Sequence, residues 1–128
     1  MIPLSKLNHR ITTANTLLCV GLDADLTKIP DEFRAKKHPQ FAFNTWVIEH
    51  THPYVCAYKP NIAFYEAYGS EGLEDLQLTM DYLHEHHPDI FLIIDAKRGD
   101  VDTTNALYAK ALFDVLGSDA VTLSPYLG

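Results

Sequence analysis

Apolar and polar positions along the chain fall into two alternating kinds of segment. Four short runs, at residues 17–22, 55–58, 91–94 and 120–123, are apolar almost throughout. A strand with one wet face alternates, so unbroken apolar runs of this length predict parallel strands covered on both faces. Between them the period becomes helical. Over residues 71–86, Leu73, Leu76, Met80 and Leu83 recur at spacings of three, four and three, and Pro88 closes the segment. Over residues 103–116, Leu107, Ala111 and Val115 stand four apart, with Thr103 or Thr104 as caps and Gly117 in a terminating position. Residues 39–52 predict a third helix through Phe43, Trp46 and Val47, ended by Pro53, and residues 5–15 a helix ahead of the first strand. The order is β-α-β-α-β-α-β, which defines an α/β fold with a parallel sheet.

Two architectures use such units, an open doubly wound sheet and a closed eight-stranded barrel. A dinucleotide-binding sheet calls for Gly-x-Gly-x-x-Gly after its first strand, and here that strand runs into Gly21-Leu22-Asp23-Ala24-Asp25. What the four strands share is a polar residue at the carboxyl end: Asp23, Lys59 with Asn61, Asp95 with Lys97, and Ser124. In a barrel these ends converge on one mouth, where such folds place their chemistry.

Composition narrows the classes further. The 128 residues are 47% hydrophobic and 21% charged, which fits one folded domain and excludes disorder. Ten Lys and Arg against 17 Asp and Glu leave a net charge of −7, so no basic stripe is available to neutralise a nucleic-acid backbone. No apolar run approaches the roughly 18 residues that cross a bilayer. Cys19 and Cys56 lie in apolar stretches without zinc or Cys-x-x-Cys spacing, and no leader-like segment opens the chain, so a reduced, cytoplasmic setting is expected. His84, His86 and His87 cluster at one helix end and His50 and His52 at another. Charge placement at helix C-termini accounts for them, and no metal site is predicted. Phe64, Tyr58, Tyr65 and Tyr68 around the second strand are expected to pack the wall and not to form a base platform.

The segment from Phe91 to Thr104 is the most informative. Alternation along a strand points Asp95 and Lys97 to one side and Ala96 to the other, and a neighbouring parallel strand brings Lys59 beside Asp95. Taken alone, a carboxylate and an ammonium at a strand end read equally as a solvated loop or as a site.

At these residues the chain resembles the orotidine 5'-phosphate decarboxylase family. The hallmark Asp-x-Lys-x-x-Asp with a following threonine is matched by Asp95, Lys97, Asp100 and Thr104. Val20-Gly-Leu-Asp23, the run from Tyr58 through Lys59 and Asn61 to Tyr65, and the run from Val121 to Gly128 resemble the family's first, second and fourth strands. Asp-Ala-Lys-Arg-Gly-Asp is similar to a bacterial subgroup. The resemblance implies a TIM (β/α)8 barrel of which residues 1–128 are the N-terminal half, the first four βα units, against the roughly 250 residues typical of that fold. It implies cofactor-free decarboxylation of orotidine 5'-phosphate to uridine 5'-phosphate. Lys97 would stabilise the carbanion and protonate C6, Asp95 would face the departing carboxylate, and Lys59 and Asp100 would complete an alternating row of charges. Asp23 and Asn61 would contact the ribose, and the positions of Asp100 and Thr104 would serve the neighbouring subunit of a homodimer. Arg98 receives no role, Asp25 is set aside in favour of Asp23, and Asp102 reads as a solvated residue near a helix start.

Two alternatives stand beside this reading. A metal-dependent sugar-phosphate lyase of the same superfamily shares Asp-x-Lys-x-x-Asp, but Lys59-Pro-Asn61 replaces its glutamate region. A non-catalytic, truncated half-barrel that self-associates through open edges is the rival from another class. The later phosphate-gripping loops have no counterpart here, so the 128-residue chain alone is expected to be inactive.

Overall fold

A computed structural model describes residues 2–126. The last two residues of the run resembling the fourth family strand lie outside it. The elements in order are α1 (Pro3–Ala14), β1 (Cys19–Gly21), α2 (Asp31–Arg34), α3 (Pro39–Thr51), β2 (Ala57–Lys59), α4 (Ala63–Glu66), α5 (Gly69–His86), β3 (Phe91–Arg98), α6 (Asp102–Ala109) and β4 (Ala120–Leu123). A 3-10 turn, His52–Tyr54, follows α3, and a wide π-type segment, Lys110–Val115, continues α6. All strand pairs are parallel and the sheet order is β1-β2-β3-β4, so every crossover advances to the next strand in the same direction, as in a barrel and unlike a doubly wound sheet.

Register sorts the side chains onto two faces. Tyr58 pairs with Leu92 and Ile94 with Val121, and these residues join Ile48, Leu76, Met80 and Leu83 of the helices in the main core. Ala57, Phe91, Ile93 and Ala120 point the other way. There Leu7 and Ile11 of α1 pack on the second, smaller cluster. Polar bonds fix α1 across the amino ends of the strands: Lys6 pairs with Asp119 at 2.6 Å, and Arg10 pairs with Asp89 at 2.7 Å and donates to the Val55 carbonyl at 3.0 Å. Thus α1 closes one end of this face, and the carboxyl ends are left for the charged residues.

Several predicted elements change shape. β1 is confined to three residues, with Leu17 and Leu18 exposed at the sheet edge. The expected apolar row of Leu107, Ala111 and Val115 is exposed. Leu112 is the buried residue instead, because the backbone widens beyond Ala109 and shifts the face that meets the sheet. In α5, Leu76, Met80 and Leu83 are buried as expected, but Leu73 is 44% exposed, and Gly72, Asp75 and Thr79 complete the inner face. A Cβ on Gly72 would lie 2.1 Å from the Tyr65 carbonyl oxygen, so only glycine admits this approach of α4 to α5.

The polar members of that face cap α3 from a distance. Pro39 has no N–H, Ala42 N–H bonds to the His38 carbonyl at 2.9 Å, and the intervening Gln40 and Phe41 N–H groups donate to Asp75 Oδ2 at 2.8 and 3.3 Å. His38 Nδ1 lies 2.9 Å from Asp75 Oδ1. The buried Gln40 amide then donates to the carbonyls of Ala24 and Phe64 at 2.8 Å each, which ties the loop after β1 to α4. Asn44 donates to Tyr65 Oη and Thr79 Oγ1, and Tyr65 Oη donates to the Leu22 carbonyl at 2.5 Å. Burial pushes the Tyr65 phenol up, so it remains a donor.

Candidate active site

β3 runs four residues beyond its apolar stretch because its polar end finds backbone partners. Asp95 N–H donates to the Pro60 carbonyl at 2.9 Å, Ile62 N–H to the Asp95 carbonyl at 3.2 Å, and Asn61 bridges Asp95 in parallel register. Parity places Lys59, Asp95 and Thr122 on the face of Ala57, Ile93 and Ala120, above α1 and opposite the main core.

Asp95 is the centre of this arrangement. Its Oδ1 accepts from Lys97 Nζ at 2.7 Å and from Thr122 Oγ1 at 2.6 Å, and its Oδ2 from Lys59 Nζ at 3.3 Å. The Lys97 ammonium, then the Thr122 hydroxyl, outweigh desolvation and, with Lys59, hold the carboxyl down to about 2. Two lysines from adjacent strands therefore share one ionised carboxylate. The expected contact between Asp95 and Lys97 exists, but simple alternation does not produce it. Between the pairs Ile94 with Val121 and Arg98 with Leu123 the ladder slips, and Lys97 adopts a φ of 48°. Its side chain is 65% exposed and turned back onto Asp95.

The remaining predicted residues are placed as follows. Asp23 Oδ1 accepts from Asn61 N–H at 3.1 Å, which brings these two together beside the lysines. Asp25 caps its own loop, accepting from Thr27 N–H at 2.9 Å and Thr27 Oγ1 at 2.7 Å, with Lys28 3.1 Å away; these bonds lower its carboxyl to about 2. Asp100 does not join Lys97 within the chain: its Oδ1 accepts from Val101 N–H at 2.7 Å, and its backbone is clasped by Asn105. Thr104 lies half-buried in the first turn of α6. Ser124 N–H bonds to the Arg98 carbonyl at 2.9 Å at the end of β4.

The histidines find separate partners. His84 Nε2 lies 2.9 Å from the Gly117 carbonyl oxygen and His50 Nδ1 2.7 Å from that of Trp46, while His87 packs at a tilt against His52, ring centres 4.4 Å apart, and faces Glu49 at 3.4 Å. Tyr58 and Tyr65 are fully buried in the wall.

Sequence reasoning missed two participants. Thr122 shares a strand face with Ser124, and only the register slip opposite it marks it as a participant. Arg98 pairs with Glu66, donates to the Ala96 carbonyl at 3.1 Å and lies 5.5 Å from the Tyr108 ring centre, so it clamps the end of β3 between α4 and α6.

A four-stranded sheet of parallel βα units in sequential order, with opposed charges gathered at the strand carboxyl ends, is the arrangement found in part of a βα-barrel. A family model, orotidine 5'-phosphate decarboxylase / HUMPS family, matches residues 16–128. The chain belongs to that family. It is 50% identical over 123 residues to the orotidine 5'-phosphate decarboxylase of Christiangramia forsetii and 49% to that of Flavobacterium johnsoniae, in each case covering 96% of this chain and 45% of the relative. The solved structure of Leishmania donovani OMP decarboxylase matches with a TM-score of 0.84 and 38% identity over 100% of this chain and 46% of that one. Leishmania donovani UMP synthase matches with a TM-score of 0.79 and 39% identity, over 96% of this chain and 25% of that one. The chain thus spans less than half the length of these relatives.

Proposed function

We propose that the protein carrying this chain decarboxylates orotidine 5'-phosphate to uridine 5'-phosphate. The observation that carries the reading is the grip of Lys59 and Lys97 on Asp95 at 3.3 and 2.7 Å, where a vinyl carbanion needs an adjacent cation and a proton source. The C6–carboxylate bond breaks heterolytically, carbon dioxide departs, and the electron pair stays on C6. Lys97 Nζ stabilises that charge and passes its proton to C6, and solvent restores the proton to the lysine. Asp95 faces the departing carboxylate, and Asp23 and Asn61, already in contact, hold the ribose. No metal or organic cofactor enters this scheme.

No single pair supplies the rate. A unit-charge contact at 4 Å is worth about 4 kcal/mol at an effective dielectric of 20, against the order of 20 kcal/mol in large enzymatic accelerations. Binding energy from the phosphate and ribose must act with the fixed charges.

Asp100 and Thr104 are assigned to the neighbouring subunit of a homodimer. The failure of Asp100 to reach Lys97 within its own chain supports this assignment. The two free thiols suit work in the reduced cytosol. The relatives named as decarboxylases favour this chemistry over a sugar-phosphate lyase.

The test is loss of orotidine 5'-phosphate absorbance by the complete protein, followed by mixing Asp100→Ala and Lys97→Ala variants. Mixed dimers, verified by mass spectrometry, should regain activity because one of their two sites carries both residues. Absence of turnover in the unaltered protein refutes the decarboxylase, and mixed dimers no better than either parent refute the shared site. The 128 residues alone, with Leu17 and Leu123 exposed at opposite sheet edges, should associate and show no turnover, the outcome that a self-associating half-barrel also predicts. Recovery of activity in the complete protein separates the two.

A further inference from the structure

We infer that Thr122 is the positioning residue that sets where the Lys97 ammonium stands in the site. The inference rests on the decarboxylase reading and adds to it a residue on β4 that the charged motif does not contain.

The ladder between β3 and β4 slips beyond Ile94. Val121 opposes Ile94 and Leu123 opposes Arg98, so Thr122 alone faces the stretch Asp95-Ala96-Lys97. A bulge of this kind leaves backbone groups without their ladder partners and re-aims the side chains it carries. Here Lys97 is held at a φ of 48°, a conformation that a non-glycine residue keeps only when its surroundings enforce it. Thr122 Oγ1 supplies the enforcement by accepting the Lys97 N–H at 3.0 Å.

That bond fixes the direction of the next one. An amide N–H can only donate, so the hydroxyl oxygen accepts there, and its own hydrogen goes to Asp95 Oδ1 at 2.6 Å. The same Oδ1 receives Lys97 Nζ at 2.7 Å. Lys97 is therefore held at both ends through one carboxylate oxygen: at its main chain by way of Thr122, and at its ammonium directly. A lysine side chain is long and flexible, and 65% of this one is open to solvent, so packing does not locate its tip. The ring through Thr122 does.

A methyl in place of the hydroxyl opens the ring. Thr122→Val has nearly the same shape and suits a strand, but it leaves the Lys97 N–H without its acceptor and Asp95 without one donor. In the complete protein the turnover number should fall roughly 10- to 100-fold, the rate equivalent of one charge-assisted hydrogen bond. The Michaelis constant and the affinity for uridine 5'-phosphate should stay within about threefold, because the ammonium acts on charge that exists only in the transition state. Thr122→Ser keeps both bonds and should retain turnover within about threefold of the parent. Amide exchange at Lys97 should accelerate in the Val variant and not in the Ser variant.

Unaltered turnover in Thr122→Val, or equal losses in Val and Ser, overturns the inference while the decarboxylase reading stands. A parent protein without decarboxylase activity overturns that reading and this inference with it. A loss accounted for by reduced folded fraction, with the specific activity of the folded protein unchanged, also overturns it. If Thr122→Val does not fold, Thr122→Ala removes the same hydroxyl with less demand on space, and the same split between turnover and product affinity applies.

Discussion

Replacing Asp75 with alanine should destabilise the complete protein by about 3–4 kcal/mol, although its carboxylate is bonded to His38, Gln40 and Phe41 and not to the charged cluster. Asp75 is 2% exposed, and its carboxylate accepts the only two N–H groups in the first turn of α3 that neither a proline nor a local carbonyl accounts for. Removing it strands one buried donor, Gln40 N–H, and one part-buried donor, Phe41 N–H, at about 1–3 kcal/mol each with the second nearer the low end, and loses an anion at a helix N-terminus, worth several tenths more. The new methyl cannot replace either bond. Asp75→Asn keeps one carbonyl oxygen for the same N–H groups and should lose less than half as much. Urea titration followed by far-ultraviolet dichroism gives both values, and for a protein of roughly 250 residues the alanine variant should melt about 6–16 °C lower. Because Gln40 carries the bond network from this cap to Ala24, next to Asp23, product affinity should weaken in the alanine variant as well. An Asp75→Ala protein within about 0.5 kcal/mol of the parent would refute the view that this carboxylate caps α3.

Two further outcomes follow from the packing and the charges. Gly72→Ala must displace the Tyr65 carbonyl, which a Cβ would approach to 2.1 Å, and should cost about 1–3 kcal/mol by urea titration; a neutral result would mean that α4 can move away freely. Asp95 has a folded-state carboxyl lowered to about 2 against an ordinary value of 3.8, so it binds its proton less readily folded than unfolded. Its contribution to stability is then fully present above about pH 4 and lost as pH falls towards 2, so the stability gap between the parent and Asp95→Asn should stay level from pH 8 to pH 5 and narrow below pH 4. Narrowing already at pH 6 would show a raised carboxyl.

The strands and the long α5 were legible because continuous apolar runs and a helical period report burial directly. The end of β3 was not. Asp95 and Lys97 terminate the apolar run, and nothing in a hydropathy pattern reveals that Pro60, Ile62 and Ser124 supply hydrogen-bond partners to that polar end. The four-residue helices α2 and α4 are too short to show a period. The misplaced face of α6 has a geometric origin, since a helix that widens over Lys110–Val115 rotates Leu112 inward and leaves Leu107 and Val115 out. Polar residues bred the remaining misses. Gly72, Asp75, Leu76, Thr79, Met80 and Leu83 follow one helical stripe, and reading Asp75 and Thr79 as members of it would have pointed to a buried network. In the candidate site, the meeting of Lys59 with Asp95 was legible from strand parity, whereas Lys97 reaches Asp95 through the slipped ladder and not through alternation. Thr122 escaped because a threonine in a strand is ordinary until the bulge opposite it is known.

In the proposed reaction the Lys97 ammonium acts on charge created during loss of carbon dioxide. The most direct test is the complete protein with Lys97→Ala, assayed for turnover of orotidine 5'-phosphate and for binding of uridine 5'-phosphate. The side chain is 65% exposed, so its removal leaves the core intact and the comparison clean. Turnover should fall by more than about a thousandfold while product affinity changes by less than about tenfold. Equal losses in turnover and product affinity, or turnover that survives the substitution, would contradict the claim.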